Sequence, residues 1–245
     1  MGATRFFVSG VHAPGSIVPL ARDDARKLIV VLRSKAGDAL EVVDSSGRRY
    51  AASLRLDGST ASAALERELA APASTALRIT LAQGIPKGQK MDFVVEKATE
   101  LGVARLVPFV SERTVGGEGA RDGKLERWRR LAKTAAQQSG RGDVPSVDDP
   151  IGFGELVATF AAYDAAFVPW ELEGGVALRE RLPFLLEGAR DVLIAIGPEG
   201  GLASGEAELA REGGAHLISL GSRIFRTETA GLVACAALLY ASGDL

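Results

Sequence analysis

The chain has 245 residues, 47% hydrophobic and 24% charged, with a formal net charge of −2. That length accommodates one large domain or two smaller ones, each with its own core, and the composition is that of a globular protein. No apolar run approaches the roughly 20 residues a bilayer span requires, and the charge balance restricts any nucleic-acid binding to local basic patches.

Cysteine usage narrows the choice further. The one cysteine, Cys235, excludes an internal disulfide and a cysteine-based metal cluster, and its apolar surroundings read as those of a buried structural thiol. No metal-ligand spacing occurs elsewhere, so no metal is expected. The N-terminus, Met1 to Phe7, has no cleavable apolar segment, and Phe6 stands where a myristoylation motif needs Ser or Thr. A cytoplasmic protein without membrane attachment is the expectation.

Residues 1 to about 70 read as β-rich. Arg5-Phe6-Phe7-Val8 is a strand candidate, and Asp23 or Asp24 is placed to cap a short helix with Leu28, Val31 and Leu32 on one face. Ala39 to Asp44 and Tyr50 to Leu54 flank Ser45-Ser46-Gly47-Arg48, a hairpin signature. A further strand is expected within Thr60 to Leu69, and strands at this spacing suggest a small barrel. Ala70 to Ala76, small, uncharged and Pro-containing, reads as a linker. The expected domains are 1–72 and 73–245.

From Leu77 the pattern changes. Leu77 to Ala82 predicts a strand, followed from about Gln89 by a helix with Met91, Val94, Ala98 and Leu101 on one face and Gly102 as its stop. Further strands are predicted at Arg105 to Val110, Ala165 to Val168, Val192 to Ile196 and Ala215 to Leu220, with helices near Val176 to Glu187 and Ser204 to Glu212. This alternation implies βαβ units and a mostly parallel sheet. Lys124 to Arg141 predicts a helix with Leu125, Trp128, Leu131, Ala132 and Ala135 as its apolar stripe. Arg127, Arg130, Thr134, Gln137 and Arg141 fall opposite, as either a solvated face or a phosphate-contacting surface.

Two glycine loops follow buried-looking strands: Ile196-Gly197-Pro198-Glu199-Gly200-Gly201 and Leu220-Gly221-Ser222-Arg223-Ile224-Phe225-Arg226. Strand ends are where open α/β sheets bind ligands, and glycine lets the backbone approach one closely. Neither loop is a phosphate loop: both Walker and dinucleotide fingerprints are missing, and Glu199 would repel a phosphate. A ligand of low net charge suits the loops better. The two histidines, His12 and His216, have no G-x-S-x-G beside them, so a hydrolase triad is unsupported.

Six motifs occur in order: Gln83-Gly84-Ile85-Pro86-Lys87-Gly88, Glu100-Leu101-Gly102-Val103, Ser111-Glu112-Arg113, Ala136-Gln137-Gln138-Ser139-x-Arg141, and the two glycine loops, the second running on through Thr227-Glu228-Thr229-Ala230. Taken together with Val31-Leu32-Arg33 and Gly37-Asp38, this set resembles the RsmE family, 16S ribosomal RNA uridine N3-methyltransferases of the SPOUT class. The chain departs from that pattern at Arg26-Lys27, where relatives often carry histidine, and at Phe225, where leucine is usual.

The resemblance implies an N-terminal PUA-like β-barrel and a C-terminal α/β domain with a trefoil knot, a rare exception to the rule against threaded chains. It implies a homodimer acting on 16S rRNA, in an assembled small ribosomal subunit, with S-adenosylmethionine bound in the knot. Three loops would hold that cofactor: Val168, Pro169, Trp170 and Glu171; Ile196, Gly197, Pro198, Glu199, Gly200 and Gly201; and Leu220, Gly221, Ser222, Ile224, Phe225 and Arg226, with Thr229 beyond. The RNA contacts expected with it are Arg5 and Arg33 in the first domain and Lys87, Arg113, Arg127, Arg130 and Arg141 in the second. Catalysis is expected to rest on Arg226, holding the base or its anion, and on Glu228. The latter reads as a base, as an orienting partner of Arg226, or as a carboxylate favoured by a helix N-terminus. A PUA-like RNA-binding module whose second domain only dimerises is the competing reading from another class.

Overall fold

The computed structural model describes residues 4–70, 77–114, 123–170, 182 and 186–245. It divides into two compact units, Met1–Ala73 with Ala136–Asp143, and Ser74–Ala135 with Val144–Leu245. The expected linker falls almost wholly outside the described residues, as does most of the helix expected near Val176 to Glu187.

In the first unit, β1 (Thr4–Phe7), β2 (Ile17–Pro19), β3 (Ala39–Val43), β4 (Arg49–Asp57) and β5 (Thr60–Leu69) form a mixed sheet ordered β1-β3-β4-β5-β2. Its alternation is that of a half-buried sheet: Tyr50, Ala52 and Leu54 of β4 and Ala61, Ala63 and Leu65 of β5 point into one core with Phe6 and Val42. The expected hairpin joins β3 to β4. Its turn is organised by Asp44, whose carboxylate accepts from the backbone of Ser46 (2.8 Å), Arg48 (3.1 Å) and His12 (3.0 Å). Burial pushes the Asp44 carboxyl up, but these hydrogen bonds outweigh it and leave the group below its ordinary range.

The short helix departs from expectation. Neither Asp23 nor Asp24 caps it; α1 (Arg22–Arg26) starts at Ala21 without a side-chain cap, and Asp24 is buried, accepting from Gln137 at 3.0 Å. The chain then widens into a π-helical turn, Lys27–Val31, closed by Leu32 N–H to Lys27 C=O. That extra residue rotates the face. Leu28 stays buried, while Val31 and Leu32 are 70% and 47% exposed.

The second unit is built on parallel strands. β6 (Arg78–Gly84), β7 (Arg105–Val110), β8 (Ser146–Val147), β9 (Ile151–Gly152), β10 (Ala165–Pro169), β11 (Asp191–Ile196) and β12 (His216–Ile218) are ordered β12-β10-β11-β6-β7-β8, with β9 also on β7. Every described pairing in this sheet is parallel. Central strands buried on both faces read as continuous apolar runs. Along β11, Val192, Ile194 and Ile196 enter one core while Leu193 and Ala195 enter the other.

The first of these cores is covered by α2 (Lys90–Leu101), α3 (Lys124–Ser139) and the C-terminal helix. On the other face lie α4 (Phe153–Val157) and α5 (Ser204–Glu212); the C-terminal helix, α6, is Thr227–Ser242. α2 and α5 match their expected spans, and Gly102 stops α2 at φ 97°. α3 buries Trp128, Ala132 and Ala135 as expected. Its last turn clusters with the first unit, so Gln137, expected on the polar side, is 8% exposed.

Candidate active site

A cavity of about 760 Å³ opens at the C-terminal ends of β10, β11 and β12, within the size range of small-molecule sites. It gathers Pro169 and Trp170 after β10, Ile196, Gly197, Pro198, Glu199, Gly200 and Gly201 after β11, and Leu220, Gly221, Ser222, Ile224 and Phe225 after β12. Three loops that the sequence separates thus share one space. Val168 is fully buried in the core and, like Arg226 and Thr229, is not among the lining residues. Glu171 lies outside the described residues. A second cavity, about 610 Å³, borders Arg129 and residues 144–149. Its charges are already paired, Arg129 with Glu126 and Asp149 and Asp148 with Arg105.

Close backbone approach builds the first cavity's floor. A Cβ on Gly84 would lie 2.6 Å from the Pro198 nitrogen, and one on Gly197 would lie 3.0 Å from the Gly201 carbonyl carbon. Glycine at both positions lets the end of β6 sit against the loop after β11. The N-terminus of α6 is tied to the same place by a buried chain: Gln83 Nε2 donates to Thr227 Oγ1 at 2.8 Å, and Thr227 Oγ1 donates to the Gly197 carbonyl at 2.5 Å. Gly231, one helical turn on, lets α6 press on Leu81 and Gln83, which a Cβ would meet at 3.3 Å.

The loop glycines divide their work differently from expectation. Gly200 makes room for Arg113, whose Cβ a side chain there would meet at 3.0 Å, and its carbonyl accepts from Arg113 at 3.1 Å. Gly221 has φ 107° with nothing within 4 Å of a built Cβ, so it serves the turn and leaves open space beside it.

Charge at the site is largely internal. Glu199 does not present a free carboxylate: it accepts from the Lys87 backbone N–H at 3.0 Å and from Lys90 Nζ at 2.8 Å. Partial burial pushes its carboxyl up, but the Lys90 hydrogen bond and backbone donors prevail and keep it below its ordinary range. Glu228 sits in the first turn of α6 with a 15% exposed side chain, and its Oε2 is buried without a hydrogen-bond partner. Arg226 is the exposed N-cap residue of the same helix; its carbonyl accepts from Thr229 and Ala230 at 2.8 Å. No group of metal-binding side chains occurs among the described residues.

The expected RNA contacts fall into two sets. Arg33, Lys87, Arg113, Arg127 and Arg130 are exposed, Arg127 paired with Asp92. Arg5 and Arg141 are placed differently. Arg5 is 8% exposed and its guanidinium holds Glu41 at 3.0 Å together with the carbonyls of Gly140 and Arg141. Arg141 has an 11% exposed side chain bound to Asp143. Sequence reading did not single out Lys90, the Gln83–Thr227 chain, or the lining residues Leu202, Ile218, Ser219, Thr227 and Ala230; Arg223, within the expected third loop, also lines the cavity. A polar Gln83 after the apolar pair Leu81-Ala82, at the end of the strand, was the available signal.

Residues 73–239 match the family model of the RNA methyltransferase domain. Ribosomal RNA small subunit methyltransferase E of Synechocystis is 33% identical over 240 residues, covering 96% of this chain and 76% of that protein. Its Bacillus subtilis counterpart is 36% identical over 169 residues, 67% of this chain and 66% of that one. The crystal structure of the Neisseria gonorrhoeae protein of that name, bound to S-adenosylmethionine, superposes with a TM-score of 0.87 at 32% identity over 98% of both chains. A Legionella pneumophila methyltransferase with bound cofactor gives 0.88 at 28% identity, again over 98% of both chains. The chain belongs to the ribosomal RNA small subunit methyltransferase E family, as its ordered motifs implied.

Proposed function

We propose that the protein methylates N3 of a uridine in 16S ribosomal RNA of the small subunit, with S-adenosylmethionine as donor. The observation that carries this reading is the cavity of about 760 Å³ walled by three strand-end loops. Its lining suits that cofactor: glycine backbone offers hydrogen bonds, while Ile196, Leu220 and Phe225 offer apolar walls. The one lining carboxylate, among the described residues, is already neutralised by Lys90. When bound, S-adenosylmethionine supplies an activated methyl group and calls for no metal.

The chain's residues supply positioning and charge. Holding a uracil in line gives much of the rate through orientation alone. As N3 gives up its proton, negative charge spreads onto the ring oxygens, and Arg226, exposed at the start of α6, is the guanidinium that meets it. Glu228 is the carboxylate for the imide proton, its buried Oε2 facing the Lys90 ammonium at 3.8 Å.

The knot reading draws support from the chain's return path. After β12, at the edge beyond β10, the chain comes back so that Thr227 bonds Gly197 and α6 packs beside β6 and β11. We take the first sheet as PUA-like, the domains as 1–72 and 73–245, and the protein as a cytoplasmic homodimer acting on the assembled subunit. The dimer reading is supported by Tyr240, 77% exposed, and Phe93, 46% exposed, on the mutually packed α6 and α2. No helix among the described residues is long and apolar enough to cross a membrane.

Calorimetry with metal-free protein tests the cofactor assignment. Saturable uptake of S-adenosylmethionine, weakened in Gly84→Ala where the loop after β11 is displaced, is the expected result. A module that only binds RNA would take up none.

A further inference from the structure

Lys90 begins α2, yet its ammonium reaches two other elements. Nζ lies 2.8 Å from Glu199 Oε1, in the loop after β11, and 3.8 Å from Glu228 Oε2, in the first turn of α6. One cation therefore spans the loop that lines the cavity and the helix that carries the reactive side chains. The two carboxylates are not equally tethered. Glu199 is also held by the Lys87 backbone N–H, whereas Glu228 Oε2 is buried with no hydrogen-bond donor. A buried carboxylate oxygen without a donor is costly and needs an outside charge to hold it.

We propose that Lys90 is a positioning residue for methyl transfer, fixing the Glu228 carboxylate against the cofactor loop so that an oxygen remains available to the substrate. The proposal rests on the reading of Glu228 as the group that receives the imide proton. Lys90 itself touches no reacting atom; it acts through Glu228. Its hydrogen bond to Glu199 raises its pKa above the ordinary lysine value, against burial and the nearby Arg226 charge. It therefore remains an ammonium throughout the assay range. The sequence gives no hint of this bridge, because Lys90 and Glu199 lie 109 residues apart.

The test combines single-turnover methylation of small-subunit RNA at saturating S-adenosylmethionine with calorimetric cofactor affinity and a melting curve. It compares wild type, Lys90→Met, Lys90→Arg, Glu228→Gln and the Lys90→Met/Glu228→Gln double variant. Lys90→Met is expected to slow the step about tenfold, the size of coupling found between contacting residues. Cofactor affinity should fall less than the rate, because Glu199 keeps its Lys87 tether, and Lys90→Arg should restore most of the rate. In the Glu228→Gln background Lys90→Met should add nothing. If Lys90→Met melts early, Lys90→Gln carries the same comparison. A full-speed Lys90→Met beside a slow Glu228→Gln overturns the proposal, as does an equal slowing in both backgrounds or a defect confined to cofactor affinity. A full-speed Glu228→Gln overturns the base reading itself, a distinguishable result.

Discussion

At Arg226 the backbone and the side chain have separate jobs. The carbonyl accepts the first hydrogen bonds of α6, from Thr229 and Ala230, while the guanidinium stays exposed. Truncation to alanine therefore spares the helix and removes only the charge. Arg226→Ala should keep its cofactor affinity and lose single-turnover rate by about 100-fold or more, as when a transition-state donor is deleted. Raising the pH should partly rescue it by letting solvent deprotonate N3. Loss of cofactor binding instead would move Arg226 into the cofactor site. Arg226 and Glu228 draw attention in the sequence because they fall in one short motif. The bonds of Lys90 to Glu199 and of Gln83 to Thr227 do not, since the partners are 109 and 144 residues apart.

Among elements, periodicity predicted what packing decides locally. β6, β11, α2 and α5 carry apolar patterns that match their two-sided or one-sided burial. It failed where the partner was distant, as at the end of α3, or where one inserted residue turned the face, as at the π-helical turn. The first sheet also depends on two ion pairs no pattern announces. Glu41 on β3 binds Arg5 of β1 and Arg49 of β4, with side chains 10–18% exposed. Burial pushes the Glu41 carboxyl up, but Arg49 and Arg5 outweigh it, and the net position is below the ordinary 4.5. With the folded value depressed, this network stabilises fully above pH 4.5 and is lost as pH falls through the lower folded value. Glu41→Gln should destabilise the protein at pH 7 by about 1 kcal/mol, the order of a partly screened pair. Thermal melts of the two proteins should converge in acid below that window; a constant difference across pH would assign the loss to packing instead.

At the scale of the whole molecule, a net charge of −2 must be reconciled with an RNA substrate. Exposed cations are what remain for phosphate contact, and Arg127 and Arg130 share one helix. Each contact removed by alanine should flatten the slope of log affinity against log salt by about 0.7 to 0.9. Arg5→Ala should lower stability instead, since its side chain is held in a largely buried ion pair, and Arg141→Ala should lower it less, its partner Asp143 being exposed. An unchanged slope in the Arg127 and Arg130 variants would make that face merely solvated. The proposed knot, dimer and target base concern chain path, partner and substrate, which no window of residues encodes; they entered only through resemblance. The most direct measurement is therefore on the product. Small-subunit RNA from a strain lacking this gene, incubated with the purified protein and S-adenosylmethionine, is digested and its nucleosides mapped by mass spectrometry. One new N3-methyluridine at a unique position, missing from the Arg226→Ala reaction, is the expected product; a methyl group on another base, or on a ribose hydroxyl, would rule out the proposed reaction.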